Sequence, residues 1–534
     1  MTATLSETEV LIIGAGPTGL VAAAELAARG VRCRLVDKAA ERSDKSRALV
    51  LQPRSLEVLQ KMGALGDLLE RGQRSRAVDV HANGRHVAHA EWEDLGFTDS
   101  PFPFLLFVSQ AETERVLDAH ARACGVTVER ERELVSLAQD EAGVEVELKG
   151  PAGVERVRAR WLIGADGAHS AVRQACGLRF DGDAYPQDFV LADVDVEWEY
   201  PRGGVHFFFS KSGVFVLLPM QGERAWRLLT VRERGDEGAE PTLEEFQRRA
   251  EASGLTARFS NPRWLTRFRL HHRGVDRYRH GRVFVAGDAA HIHSPAGGQG
   301  MNTGIQDAFN LAWKLALVVK GRGGEALLDS YHLERHPVGQ RLLSFTDRFF
   351  RLGTSDNWLV SQARWLGGPA AVSFVLNDDG LRRRALHFTS QLGIRYRKSP
   401  LTEEPKRRGS LQRTPCAGAR APDAKLSGTT VHAQLRGNTF HLLCFGLPAQ
   451  AQPQVAAALE GFEAVVHPVF FNAPDDGHAP PQALRDGGGE AFARYGVREQ
   501  GLVLVRPDGH LATRAPGADP APIRADLVEH LSRR

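Results

Sequence analysis

The sequence predicts an α/β chain: a Rossmann-like domain interleaved with a β-sheet domain, followed by a separate small α/β domain. Three observations carry that reading. A glycine-rich turn sits between an apolar run and a helix-forming stretch at the very start. Alternating strand patterns lie between two later glycine-containing turns. A segment rich in Lys, Arg, Pro and Ser at 398–425 precedes a last group of strands. The predicted divisions are 1–187 with 270–397, then 188–269 inserted between them, then 398–534.

The chain has 534 residues, too many for one core, and 42% apolar and 25% charged residues, an ordinary globular mix. The net charge of +3 is spread without basic runs, which excludes a dedicated nucleic-acid binder. Five cysteines, Cys33, Cys124, Cys176, Cys416 and Cys444, include no CxxC pair. That argues against a disulfide framework or a cysteine zinc site, so no metal is expected and a reducing, cytoplasmic setting fits. The N-terminus lacks the basic region of a signal peptide. The apolar stretch Leu311 to Val319 is too short to span a bilayer and holds Lys314, so no membrane partner is expected.

The elements follow in order. Residues 9–13, then GAGPTG, then LVAAAELAARG, then VRCRLVD read as strand, turn, helix and strand. Residues 55–70 have helical spacing, and 109–124 repeat it with Ser109 as N-cap and Glu112 three positions on. Strands are expected across 126–160 and again across 188–232. The segment 280–291 returns to strand and turn, with a long helix over about 303–320 and more helix up to about 395. The 398–425 segment reads as a linker.

Gly14, Gly16, Pro17, Thr18 and Gly19 lie within a GxGxxG fingerprint in its required context. Its glycines permit a tight turn and close approach of backbone to a pyrophosphate, which the helix N-terminus attracts. Asp37, followed by Lys38, ends the next strand, where an acid can bond ribose hydroxyls. The fingerprint alone does not separate one dinucleotide from another.

Two further segments resolve that ambiguity. One is GADGAHSAVR at 164–173; the other is GRVFVAGDAAH at 281–291, followed by SPAGGQGMN at 294–302. Together they resemble the DG and GD motifs of the group A flavoprotein monooxygenases, the family of para-hydroxybenzoate and phenol hydroxylases. The resemblance covers about residues 8–395 well. More loosely, the C-terminal part resembles the thioredoxin-like appendage of phenol hydroxylases and of polyketide and antibiotic hydroxylases. It implies FAD as cofactor, NADPH or NADH as co-substrate, and O2. It also implies hydroxylation of a phenolic or polycyclic aromatic substrate through a flavin C4a-hydroperoxide, in a cytoplasmic enzyme of antibiotic biosynthesis.

The resemblance assigns residues as well. Arg47, in the segment after the second strand, falls near the flavin. Gln110 and Arg115 match a Gln-x-x-x-x-Arg pattern near the ribityl chain and pyrophosphate. Asp166 serves FAD and nicotinamide binding, although the plainer reading is a turn former or helix cap. Asp288, after Gly287, accepts from a ribityl hydroxyl. The loop with Pro295, Gly298, Gly300, Met301 and Asn302 opens a helix whose N–H groups meet the negative charge on a reduced flavin ring.

No catalytic acid or base emerges. His206, Phe207, Phe215, Arg227 and Pro295 are candidates for the substrate pocket, since alternate members of these strands should face the flavin. His291 and His293 flank the flavin loop. The C-terminal domain, lacking CxxC, cannot run a dithiol cycle; packing or contact in a homodimer is its expected role. Baeyer–Villiger oxygenation on the same scaffold stays open, as does a flavoprotein that binds a metabolite without turnover. A flavin-dependent halogenase does not fit, because the WxWxIP motif is absent.

Overall fold

The computed structural model describes residues 5–43, 48–82, 84–91, 99–210, 213–232, 240–293, 298–354, 374–375, 378–405, 409, 411–412, 414–472, 480 and 482–531. Of these, 185–187, 270, 345–354 and 379 are described by backbone alone. Arg47 and Pro295 lie outside the described residues.

The first sheet is built around the parallel strands Val283–Val285, Gly153–Gly164, Leu5–Ile13, Cys33–Val36 and Val128–Glu129, adjacent in that order. Its central strand ends in the apolar run of residues 10–13, where both faces are covered; Val10, Leu11 and Ile12 are fully buried. The helix Pro17–Ala28 starts with proline at its first turn, where a missing N–H costs nothing. It packs against the strongly buried helix Gly300–Val319. Register decides the rest: Ile13 pairs with Gly164, and Gly164 with Val285. The three glycine-bearing motifs therefore leave neighbouring parallel strands at the same carboxyl edge, where ligands bind in open α/β sheets.

The second sheet has eight strands and is mostly antiparallel. Its long strands Phe180–Glu197 and Arg258–Val275 extend on either side of the expected 188–269 span. The earlier strands Ala77–Ala82 and Arg85–Glu91 join it through a parallel pairing with Gly204–Ser210. Helix Leu243–Ala252 covers one face, burying Phe208, Phe215, Leu217, Trp226 and Leu228 beneath Phe246 and Ala250. Thr242 caps that helix by accepting from Glu245 N.

The C-terminal domain has a sheet whose neighbours run Leu484–Arg485, Val466–Asn472, Phe440–Phe445, Gly501–Val505, Leu511–Pro516. The Phe440 strand runs parallel to the Val466 strand and antiparallel to the Gly501 strand. Helices Gln452–Leu459, Glu490–Tyr495 and Ala521–His530 complete the thioredoxin-like order.

The 398–425 segment is not a free linker. Leu401, Ala417 and Ala421 are buried, and Arg420 donates to Glu57 Oε1 at 2.9 Å. Arg420 looked solvated in one dimension; in three it is paired with Glu57 and Asp99. The domain junction is similarly charged and dry. Fully buried Glu334 accepts from Arg506 at 2.6 and 2.8 Å and from Lys314 at 2.7 Å. Burial lowers the Lys314 amine to about 8, against the Glu334 carboxylate that favours its charge. Such a network adds little net stability over apolar packing, but it penalises misdocking.

Candidate active site

The cradle begins at Gly14, which has φ +103°, a conformation costly for any residue with a Cβ. Its N–H donates to Val36 O at 2.8 Å. A Cβ there would strike the Ala165 carbonyl, so the GxGxxG and DG turns touch. Gly16 differs: a Cβ built on it meets nothing within 4 Å. That open space lies at the start of helix Pro17–Ala28, whose first turn carries no acid. Gly19 must be glycine because its α-carbon crowds the Gly14 carbonyl.

The GD turn closes on the same helix. Both Gly287 and Gly304 lie so near Thr18 that a Cβ on either would run into its hydroxyl. Adjacent backbone bonds lock the edge: Ala165 N donates to Ile13 O at 2.8 Å, and Ala286 N to Gly164 O at 3.0 Å. Asp288 is exposed on the 3-10 turn Gly287–Ala289.

Asp37 Oδ2 accepts from Ala15 N at 2.7 Å, so this acid shapes the fingerprint turn. Lys38 is exposed beside it. Ser109 caps helix Gln110–Ala123 by accepting from Glu112 N, as expected. Gln110 Nε2 donates to Glu114 Oε1 at 2.8 Å, and Arg115 Nε donates to Glu112 at 3.0 Å. Arg115 Nη2 is buried and has no partner among the described residues. A buried unpaired guanidinium nitrogen calls for an anion. With the vacant space at Gly16, it makes the cradle fit a dinucleotide pyrophosphate.

Asp166 accepts from the Ser170 hydroxyl and, at 3.1 Å, from Val172 N. It therefore helps hold the start of the helix Ala171–Ala175, whose N-cap is Ser170. Arg173 ties two motifs together: Nη1 donates to Ala289 O at 3.1 Å and Nη2 to Ala168 O at 2.9 Å.

Gly298 has φ +62° and presses on Val50; Gly300 opens the long helix with half-buried Met301. Asn302 is fully buried. Its Oδ1 accepts from Gln52 N at 2.8 Å, and its Nδ2 donates to Val50 O and Gly298 O at 2.8 and 2.6 Å. The Asn302 amide thus fixes the helix start from the protein side.

Sequence reasoning missed Asp307, which is fully buried. It accepts from Gly287 N at 3.2 Å, His291 Nε2 at 2.8 Å and Arg335 Nε at 2.7 Å. Burial alone would raise its carboxyl; the Arg335 guanidinium and His291 overcome that and hold it below the ordinary range. His291 is accordingly a buried structural ligand of the GD turn. The single acid in the helix Gly300–Val319 was the available signal.

The substrate-side candidates separate by face. Phe207 pairs with Val216, and Val216 with Leu229. Phe207, Val216 and Leu218 pack with Val50, Phe107 and Leu392. Val50 is also the residue against which Gly298 rests, so this face looks onto the turn that opens the helix Gly300–Val319. Arg227 shares it, opposite Leu218, but is held bidentate by Asp193 at 2.7 Å through both Nε and Nη2. His206 and Phe215 project to the opposite face, because alternate residues of a strand do. His206 is fully buried there, with Nε2 2.9 Å from Pro201 O, so it does not line the wall.

The fold and cradle define a dinucleotide-binding flavoprotein. A family model described as an FAD binding domain matches residues 7–346, and one described as the C-terminal part of aromatic-ring hydroxylases matches 414–534. The chain belongs to the FAD-dependent aromatic hydroxylases, and FAD is its cofactor. It is similar to 6-methylpretetramide 4-monooxygenase of Streptomyces rimosus, 37% identical over 95% of this chain and 90% of that one. Pentachlorophenol 4-monooxygenase of Sphingobium chlorophenolicum is 31% identical, over 98% and 96% of the two chains. A structure of aklavinone-11 hydroxylase with FAD and aklavinone covers 98% of each chain, with a TM-score of 0.76 and 26% identity. No described helix is long and apolar enough to cross a membrane.

Proposed function

We propose that this monooxygenase hydroxylates a fused-ring phenolic compound of the aromatic polyketide class, using NADPH or NADH and O2. The observation that carries the substrate class is the apolar wall of Phe207, Val216 and Leu218, continuous through Val50 with the turn at Gly298, which this reading places beside the flavin. A flat apolar ring system is what such a wall accommodates. The related 6-methylpretetramide and aklavinone hydroxylases, whose names specify polycyclic substrates, support the same reading.

When bound, reduced flavin supplies the activated oxygen. The chain's own residues do the positioning. The helix start at Gly300, pinned by Asn302, directs backbone N–H groups toward the flavin loop. The wall excludes water, and the Arg227–Asp193 pair gives it one polar, fixed end.

The test is consumption of NADPH and NADH by the FAD-loaded protein against simple phenols and polycyclic phenols or quinones, with peroxide and product mass followed together. Stimulation by polycyclic compounds, with gain of one oxygen and little peroxide, is expected. Stimulation only by monocyclic phenols would overturn the substrate class. Insertion of oxygen into a ring ketone would replace hydroxylation by Baeyer–Villiger chemistry. Absence of stimulation by every compound would favour a binding role.

A further inference from the structure

The edge hairpin of the substrate-side sheet carries a cluster that the flavin chemistry does not use. It consists of Ala77–Ala82 and Arg85–Glu91. In a regular strand, His86 and His89, three positions apart, would face opposite ways. Here the register slips. Asp79 pairs with His89 and Val80 with Ala88, but His81 pairs with His86. Val87 is the extra residue, and this bulge turns both histidines toward one carboxylate. His86 Nε2 lies 2.9 Å from Asp79 Oδ1, and His89 Nδ1 lies 2.8 Å from the same oxygen. The three ligand atoms all fall within 4.8 Å of one another.

Behind the carboxylate lies a buried histidine pair. Asp79 is buried, and its Oδ2 stands 3.9 Å from Nδ1 of the fully buried His206. His206 is fixed in turn by Pro201 O at 2.9 Å and by His81 Nε2 at 3.3 Å. The two outer imidazoles, by contrast, have side chains 46% and 45% exposed and can move. Metal–nitrogen and metal–oxygen bonds of about 2.0–2.2 Å place tetrahedral ligand atoms roughly 3.3 Å apart. The exposed imidazoles therefore need withdraw only about half an ångström from the carboxylate to admit an ion.

We propose that Asp79, His86 and His89 bind a divalent transition ion of the zinc, nickel or copper class, with its remaining positions open to solvent. Two imidazoles and one carboxylate suit those ions and not magnesium or calcium, which favour oxygen ligands. The sequence reading expected no metal because it looked for cysteine pairs; these ligands are assembled by a strand pairing and a bulge. The bound ion ties the edge strand to the strand beside Phe207's own, stiffening the rim of the substrate-side sheet.

The experiment uses the full-length, FAD-loaded enzyme, stripped with a chelator and titrated calorimetrically with Zn2+. The double variant His86→Gln, His89→Gln is titrated in parallel. A saturable zinc site in the wild type that the double variant lacks is expected, with each single variant binding at least about tenfold more weakly. Copper(II) bound to the wild type should show nitrogen hyperfine coupling that the double variant loses. Flavin absorbance checks that both proteins remain folded; should the double variant load FAD poorly, His86→Gln alone provides the comparison. Equal zinc uptake by wild type and variant would overturn the proposal, as would displacement of zinc by equimolar magnesium.

Discussion

Asp307→Asn removes a charge from the core of the flavin cradle while keeping the shape of the side chain. In the wild type, Oδ1 accepts from Arg335 and Oδ2 accepts from both His291 and Gly287 N. An amide has one acceptor oxygen. If that oxygen faces His291 and Gly287, its NH2 group confronts the Arg335 guanidinium; if it turns round, two donors are left facing a third. Arg335 is fully buried and, among the described residues, keeps the Tyr396 hydroxyl at 3.2 Å and Thr303 O at 3.3 Å. Breaking one partner of a buried ion pair costs about 3–5 kcal/mol, and the two neutral acceptors left to Arg335 favour the low end, about 3 kcal/mol. Urea unfolding of the apoprotein at matched slope reads this directly. Titration with FAD, followed by flavin fluorescence, should show affinity reduced at least about tenfold, or 1.4 kcal/mol, because the GD turn loses its anchor. The pH dependence has a definite sign. The folded carboxyl is held below its ordinary value, so its stabilising contribution is complete above the unfolded value of about 3.9 and is lost as pH falls through the folded one. The wild type should therefore destabilise more steeply on acidification below about pH 4 than the asparagine variant. A variant within about 0.5 kcal/mol of wild type, with unchanged flavin affinity, would refute the role given to Asp307.

Gly16→Ala should leave the apoprotein's unfolding midpoint unchanged, since φ −75° suits any residue and no atom lies within 4 Å of the added methyl. FAD affinity should nevertheless fall at least about tenfold, because the methyl occupies the pyrophosphate's path; unaltered flavin titration would displace the cofactor from this turn. Phe207→Ala and Phe215→Ala should separate the two sheet faces. Phe215 is fully buried under Phe246 and Phe259, so its loss should cost about 3–5 kcal/mol by denaturant unfolding. Half-buried Phe207 should cost less stability but raise KM for the aromatic substrate and divert NAD(P)H oxidation toward peroxide. The reverse assignment of effects would mean that the flavin faces the other side of the sheet.

The three glycine motifs were legible because their requirements are local. Gly14, Gly19 and Gly287 are demanded by a tight turn or a close approach, and a pattern of small residues records such demands in one dimension. The order of strand, turn and helix around each was equally local, and so was the Ser109 cap. The alternation over 188–232 foretold a two-faced sheet. It did not tell which face packs toward the turn at Gly298, because period two fixes that residues alternate and not toward what. The packing of Phe207 on Val50, and of Phe215 under Phe246, made that choice.

By itself, then, the sequence determined a flavoprotein of α/β architecture and the order of its three cofactor motifs. Only the tertiary structure decided the partners of its buried charges. Asp307 meets Arg335, Arg420 meets Glu57, and Arg506 meets Glu334, the last two across 363 and 172 positions of sequence. A charge read in sequence carries the default of facing water. Its burial becomes visible only when chain folding brings an opposite charge within about 3 Å and removes the solvent from both.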